Sequence, residues 1–228
     1  MPYATRLSYE RLVKSLSQFR QTNRWLDVGC GAGHLMEVAK SANWDVVGTE
    51  LSTVAVRRLQ EKGYTVYNAL LKDLPEPRQS FDIVTLIEVL EHVPEPVDLL
   101  REVREFLRPG GCLYMTTPNA NSLTVLLKGI GEVLGPPDHL WIWSPAALRK
   151  LLWHTGFRPV KIWTEGLNPY KLLTRPPKSA RPNYLERTER LRDISSKKPL
   201  LIWLKRVSNF FLSATSLGET LKVIAIKQ

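Results

Sequence analysis

The run Leu26-Asp27-Val28-Gly29-Cys30-Gly31-Ala32-Gly33-His34 constrains this chain more than any other stretch. An apolar strand pattern reaches Asp27, passes into three glycines at alternate positions, and opens into a helix pattern at His34. Glycines let a backbone turn sharply and come close to a ligand with no Cβ in the way. In an open α/β sheet, the turn after the first strand is where nucleotide-like ligands bind. The next strand pattern, Trp44-Asp45-Val46-Val47-Gly48-Thr49, ends in Glu50. A carboxylate accepts hydrogen bonds only, so Glu50 can take both hydroxyl hydrogens of a ribose.

The spacing narrows the ligand. Gly29, Gly31 and Gly33 read G-x-G-x-G, whereas the dinucleotide fingerprint needs G-x-G-x-x-G. Asp27 would repel a phosphate and suits an ammonium or sulfonium cation. A cationic, ribose-bearing ligand is S-adenosylmethionine. Asp27 to Gly33 resembles the first motif of the class I methyltransferases residue by residue, and Glu50 resembles their ribose acid. A glycine-rich turn in some other α/β domain is the bland alternative; the whole run with Glu50 argues against it.

The resemblance continues in Leu74-Pro75-Glu76-Pro77-Arg78-Gln79-Ser80-Phe81-Asp82, in Leu107-Arg108-Pro109-Gly110-Gly111 and in Gly156-Phe157. It covers Arg24 to Trp163 and the final strand. It implies an α/β fold of three layers, Rossmann-like, around a doubly wound, mostly parallel seven-stranded sheet whose last strand is antiparallel. It also implies that Ile87 borders the cofactor. One position departs from the family: where many relatives place an acid against the adenine amine, this chain has Leu70. Adenine is then expected against backbone and apolar groups near Leu70 and Leu71, with Asp73 as a neighbouring alternative.

Strand and helix patterns alternate along the chain. A helical spacing over Leu7 to Phe19 is expected to cover the ligand site. Then come Trp25–Val28, His34–Ala42, Asp45–Thr49, Thr53–Lys62 and Thr65–Asn68. Phe81 to Leu86 is a nearly continuous apolar run, as in a strand covered on both faces. Asp98 to Leu107 reads as a helix closed by a Pro-Gly-Gly turn, followed by a strand over Cys112–Thr117. Asn119 to Pro137 is poorly patterned. Ser144 and Pro145 open a helix that Gly156 ends, and strands follow at Phe157–Thr164 and Thr220–Ile226. This rhythm predicts a parallel sheet in one domain, residues 1–228, with an insert at 167–215 between the last two strands. The two cysteines, Cys30 and Cys112, have no metal-type spacing and suggest no disulfide framework, which favours a cytoplasmic setting. Neither a signal-peptide pattern nor an apolar run long enough to span a bilayer is evident.

Chemistry is expected just after the fourth strand, at Ile87-Glu88-Val89-Leu90-Glu91-His92-Val93-Pro94. On one helical turn, Glu88, Glu91 and His92 would share a face. Two carboxylates and an imidazole suit a divalent cation such as Mg²⁺, Mn²⁺ or Zn²⁺. The E-x-x-E-H run resembles the ubiquinone-biosynthesis O-methyltransferases and the small-RNA 3′-terminal 2′-O-methyltransferases. Both groups place a histidine where this chain has His139. The resemblance implies metal ligands Glu88, Glu91, His92 and His139, with His92 and His139 as catalytic candidates. The alternative is metal-free: Glu88 touches the cofactor, His92 caps the helix, Glu91 packs, and His139 lines an aromatic pocket with Trp141 and Trp143.

The net charge of +10 is concentrated in the insert. Leu167 to Phe210 carries eleven Lys and Arg against Glu186, Glu189 and Asp193. Pro199 to Leu212 adds a broad apolar face with Trp203, Phe210 and Phe211, suited to lying on a membrane or to serving as a lid. The expected function is O-methylation of a small or lipid-linked hydroxylated substrate, with peripheral membrane contact. The first rival is methylation of an RNA terminus, disfavoured because Tyr170 and Tyr184 are the only aromatics in the loop part of the insert. The second rival is a cofactor-binding regulator without catalysis.

Overall fold

The structure is a computed structural model that describes residues 1–132, 139–166, 209 and 211–228. Helix α1 spans Tyr3–Leu16 and is followed by a 3-10 turn at Ser17–Phe19. Strand β1 (Arg24–Val28), helix α2 (His34–Ser41), strand β2 (Asp45–Thr49), helix α3 (Thr53–Glu61) and strand β3 (Thr65–Tyr67) make the first half. The second half holds β4 (Phe81–Ile87), α4 (Pro96–Phe106), β5 (Leu107–Pro118), α5 (Leu123–Lys128), α6 (Pro145–His154), β6 (Phe157–Glu165) and β7 (Thr220–Lys227). The sheet order is β3-β2-β1-β4-β5-β7-β6. All pairings are parallel except those of β7, which runs antiparallel to both β5 and β6.

Two apolar clusters make three layers. Val13 and Leu16 of α1, Leu35 and Met36 of α2, and Val56 and Leu59 of α3 pack on one face of the sheet. Leu100, Val103 and Phe106 of α4 and Leu148 and Leu152 of α6 pack on the other. The spacing of these residues is the helical 3–4 period that turns one stripe inward. Burying a side chain as large as that of Phe106 contributes roughly 1.5–3 kcal/mol. Ser52 and Ser144 cap α3 and α6 by accepting from Ala55 and Ala147 backbone N–H groups, and Pro145 sits at the first turn, where its missing donor costs nothing.

Three expectations need correction. The Pro-Gly-Gly segment does not stop short of a strand: β5 begins at Leu107, pairs with Phe81, and carries Gly110 at φ +70° within an irregular register. Asn119 to Pro137 contains a short helix, α5, whose Ser122 cap accepts from Val125 N–H. Helix α1 starts four residues before Leu7 and ends in a 3-10 turn. The basic insert, including the Trp203 face, lies outside the described residues; only Asn209 and the stretch from 211 onward are within them.

A buried carboxylate locks the entry to β1. Asp82 Oδ2 accepts the backbone N–H groups of Gln21, Thr22 and Asn23 at 2.8, 2.9 and 2.8 Å. Its Oδ1 accepts Arg108 Nε–H at 2.6 Å. Burial alone would raise the Asp82 pKa, but Arg108 and the backbone donors outweigh it and hold the group below its ordinary value. The turn ahead of the glycine run is thereby tied to β4.

Candidate active site

The glycine run follows β1 as expected. Gly29, Gly31 and Gly33 all have positive φ, at +68°, +53° and +72°. A Cβ on Gly29 would press into Val89, 2.7 Å away, so the loop packs tightly on the segment after β4. A Cβ on Gly31 would meet nothing within 4 Å. That face of the loop is open, and it is the face a ligand would fill. Glu50 turns toward it from the end of β2. Its Oε2 accepts Gly31 N–H at 2.9 Å and its Oε1 accepts Ser52 N–H at 2.8 Å. Glu50 therefore shapes the loop through these two contacts.

Asp27 is 3% exposed. Burial and the nearby Glu50 charge push its carboxyl up to about 7, against the pull of the Thr85 hydroxyl, which donates to Asp27 Oδ1 at 2.6 Å. A bound cation would offset that burial. Glycines open to a ligand, a ribose-type acid and a buried carboxylate beside them fit S-adenosylmethionine. Leu70 is half exposed at the rim. Leu71 points its side chain into the core, so only its backbone remains for adenine. Ile87 is partly buried and packs on the α1–α3 face. Sequence reasoning missed Asn68, whose Nδ2 donates to the carbonyls of Glu50 and Leu51 at 2.9 and 3.0 Å and ties the end of β3 to the ribose acid.

The second cluster differs from its expectation. Residues 88–92 form a turn, not a helix, with His92 N–H donating to Val89 O and Glu88 held at φ +53°. A non-glycine residue there carries backbone strain, of the kind that gathers at functional sites. Glu88 still neighbours Glu91, whose pKa its charge raises, but it is not one of the three groups that converge. Its Oε1 accepts the Thr116 hydroxyl at 2.8 Å. Glu91, His92 and His139 instead bring one ligand atom each to within 4.8 Å of one another. The His92 and His139 rings are 4.9 Å apart, and His92 Nε2 is 3.9 Å from Glu91 Oε1.

His139 reaches this place because its segment docks on Glu91 itself. Leu140 and Trp141 N–H groups both donate to Glu91 O, at 2.8 and 3.1 Å, and Trp141 Nε1 donates to Val93 O. Trp141 stacks on Trp143 with centroids 5.7 Å apart. Glu91 is fully buried, and among the described residues neither carboxyl oxygen makes a well-formed hydrogen bond, with Thr117 and Glu88 as its polar neighbours. Burial first, and the Glu88 charge second, raise its pKa well above the carboxylate range. The buried Thr117 hydroxyl lies beside it and pulls the other way, lowering the pKa against burial. An orphaned buried carboxyl costs about 1–3 kcal/mol or more, and one carboxylate with two imidazoles is a donor set that holds a divalent cation.

Comparison with known proteins identifies the family. The methyltransferase-domain family matches residues 3–162. A ubiquinone biosynthesis O-methyltransferase of Aliivibrio fischeri is 32% identical over 158 residues, covering 63% of this chain and 68% of that one. The enzyme of the same name from Thiobacillus denitrificans is 30% identical, covering 72% and 77%. In three dimensions the chain resembles a SAM-dependent methyltransferase of Archaeoglobus fulgidus, with TM-score 0.64, 23% identity, and 97% and 93% of the two chains covered. With its open glycine loop, Glu50 and Asp27, the chain belongs to the methyltransferase-domain family and is an S-adenosylmethionine-dependent methyltransferase.

Proposed function

We propose that the protein methylates an oxygen of a small or lipid-linked hydroxylated substrate, and that Glu91, His92 and His139 hold a divalent cation beside the acceptor. One observation carries the metal reading: among the described residues Glu91 is fully buried with no well-formed hydrogen bond at either carboxyl oxygen, where two imidazoles converge on it. Glu88, held by Thr116, stands next to this group and adds negative charge to it. When bound, a divalent cation lowers the pKa of a hydroxyl that it touches. The protein's own part is alignment. Asp27 and Glu50 anchor the cofactor at the ends of β1 and β2, and the 139–143 segment walls the acceptor side with Trp141 and Trp143. Holding two reactants in line removes most of the entropy cost of their meeting.

A lipid-linked substrate is supported by the names of the relatives and by the site's surroundings. Leu140 and Trp141 are exposed on the segment that docks on Glu91, and Leu126, Leu127, Ile130 and Phe211 are exposed elsewhere on the described surface. No described helix is long and apolar enough to cross a membrane, so any lipid contact of the described part would be peripheral. The test is S-adenosylhomocysteine release across catechols and quinols, phenols, sugars and short RNAs, each with and without EDTA. Turnover of a hydroxylated ring that EDTA abolishes and Mg²⁺, Mn²⁺ or Zn²⁺ restores supports the proposal. Full turnover in EDTA removes the metal from it. Turnover of RNA alone would replace the substrate class, and absence of any turnover with intact cofactor binding would favour a regulator. Co-sedimentation with anionic vesicles, weakened in Leu126→Glu, checks the membrane contact.

A further inference from the structure

We propose that Thr85 is a positioning residue for the cofactor: its hydroxyl, oriented by the Trp25 indole, holds Asp27 as a carboxylate facing the cofactor's cationic end. The register isolates Asp27 from other partners. Across β1, its neighbour on β4 is Thr85 and its neighbour on β2 is Gly48, which has no side chain to offer. A side chain could not be added there, since a Cβ on Gly48 would meet Cys30 Sγ and Met36 Sδ at 2.9 Å. The lateral support of Asp27 therefore falls on one hydroxyl.

Donor and acceptor counting fixes the direction of that support. An indole N–H donates only, and a hydroxyl has a single hydrogen. Trp25 Nε1 donates to Thr85 Oγ1 at 3.0 Å, so the hydroxyl accepts there and must spend its own hydrogen elsewhere. Two acceptors are in reach: Asp27 Oδ1 at 2.6 Å and Leu26 O at 3.3 Å. The shorter contact has the length of a hydrogen bond to an ionised oxygen. Trp25 and Thr85 are themselves completely buried, and Trp25 is braced edge-on against Trp44 at 5.2 Å. The chain Trp25 to Thr85 to Asp27 thus begins in rigid core and ends at the cofactor loop.

The electrostatic setting gives the relay something to do. Burial and Glu50 both favour the protonated form of Asp27, and the Thr85 hydrogen bond opposes them. The Cys30 thiol lies nearby and is itself pushed up by burial and by Asp27 and Glu50, so it brings no charge. A protonated Asp27 would attract neither an ammonium nor a sulfonium group. Removing the hydroxyl is therefore expected to move Asp27 toward the neutral form at pH 7 and weaken the cofactor in a pH-dependent way.

The test is the S-adenosylmethionine Kd by calorimetry from pH 5.5 to 8.5. Wild-type affinity should fall as pH drops through the neutral range. Thr85→Val should raise the midpoint of that fall by about one pH unit, the size of one lost charged hydrogen bond, and so weaken binding about fivefold at pH 7 and about tenfold at pH 5.5. Thr85→Ser, which keeps the donor, should stay within about twofold of wild type. Weakening that is equal at every pH, with the midpoint unmoved, would mean that Thr85 only packs, and would overturn the proposal. So would a Thr85→Val protein with wild-type binding. If Thr85→Val does not fold, Trp25→Phe decides: it frees the hydroxyl to rotate toward Leu26 O, and an unmoved midpoint there is equally fatal.

Discussion

Asp27 and Glu91 are both buried carboxyls at the end of the sheet where ligands bind, yet their surroundings are opposite. Asp27 has a hydroxyl built for it in the neighbouring strand, and its loop opens to a ligand through Gly31. Among the described residues Glu91 makes no well-formed hydrogen bond at either oxygen and has two imidazoles instead. The first arrangement is complete enough to stand in the empty protein and needs a ligand only to offset its burial. On the proposed function, the second is completed by a divalent cation. The cofactor half is therefore held by the fold, and the acceptor half by what binds there.

The largest effect that can break this contrast lies in the acceptor half. Glu91→Gln should lower methyl transfer by roughly 100-fold or more, on the scale of losing metal charge stabilisation of several kcal/mol. Its S-adenosylmethionine affinity should stay at the wild-type value. Paired turnover and calorimetry check both, and a Gln variant that remains active with added Mg²⁺, Mn²⁺ or Zn²⁺ would place the cation elsewhere.

Next in size, Glu50→Ala should weaken S-adenosylmethionine by about 2–4 kcal/mol, the loss of two charged hydrogen bonds. Because Glu50 also accepts Gly31 and Ser52 N–H groups, Glu50→Gln, which keeps one acceptor oxygen, should lose less. Calorimetry on both variants separates ribose contact from loop support. EDTA should not alter either affinity, which keeps the two halves distinct.

The smallest effect sharpens the contrast most. Glu91→Leu replaces an orphaned carboxyl by an apolar group of similar size, and such swaps are neutral to stabilising. It should leave the melting temperature of the ligand-free protein unchanged or raise it by about 2–4 °C per kcal/mol gained, while abolishing turnover. Asp27→Leu should lower the melting temperature instead, because the Thr85 hydroxyl is then left with only the longer 3.3 Å contact to Leu26 O. Scanning calorimetry without ligand compares them. Equal destabilisation by both would mean that Glu91 is a packed structural acid after all.

The wrong expectation and the missed residue in these two halves have one origin. Glu88, Glu91 and His92 are spaced for one helical face, but the chain after β4 turns too tightly, with Glu88 at φ +53°. Spacing gives a shared face only if the backbone is helical, and nothing in the residues themselves announced a left-handed position. Thr85 did carry a signal, as the lone hydroxyl within the apolar run from Ile83 to Ile87. Its meaning depended on which residue of β1 stands beside it. That the Leu71 side chain turns into the core was likewise set by packing rather than by local sequence.

What the sequence determined by itself was everything written in local chemistry. Alternating strand and helix periods, serine caps before Ala55 and Ala147, glycines where the loop needs positive φ, and an acid at the end of β2 are each decided within a few residues. The antiparallel β7 was legible only through resemblance, and the strand order came from the structure. What tertiary structure alone decided was which distant groups meet. Leu140 and Trp141 bind the Glu91 carbonyl and so deliver His139 to His92, and sheet register sets Thr85 beside Asp27. These meetings depend on long-range backbone pairing. A one-residue slip in a strand reverses the face of every side chain on it, so they arise only when the whole sheet is in place.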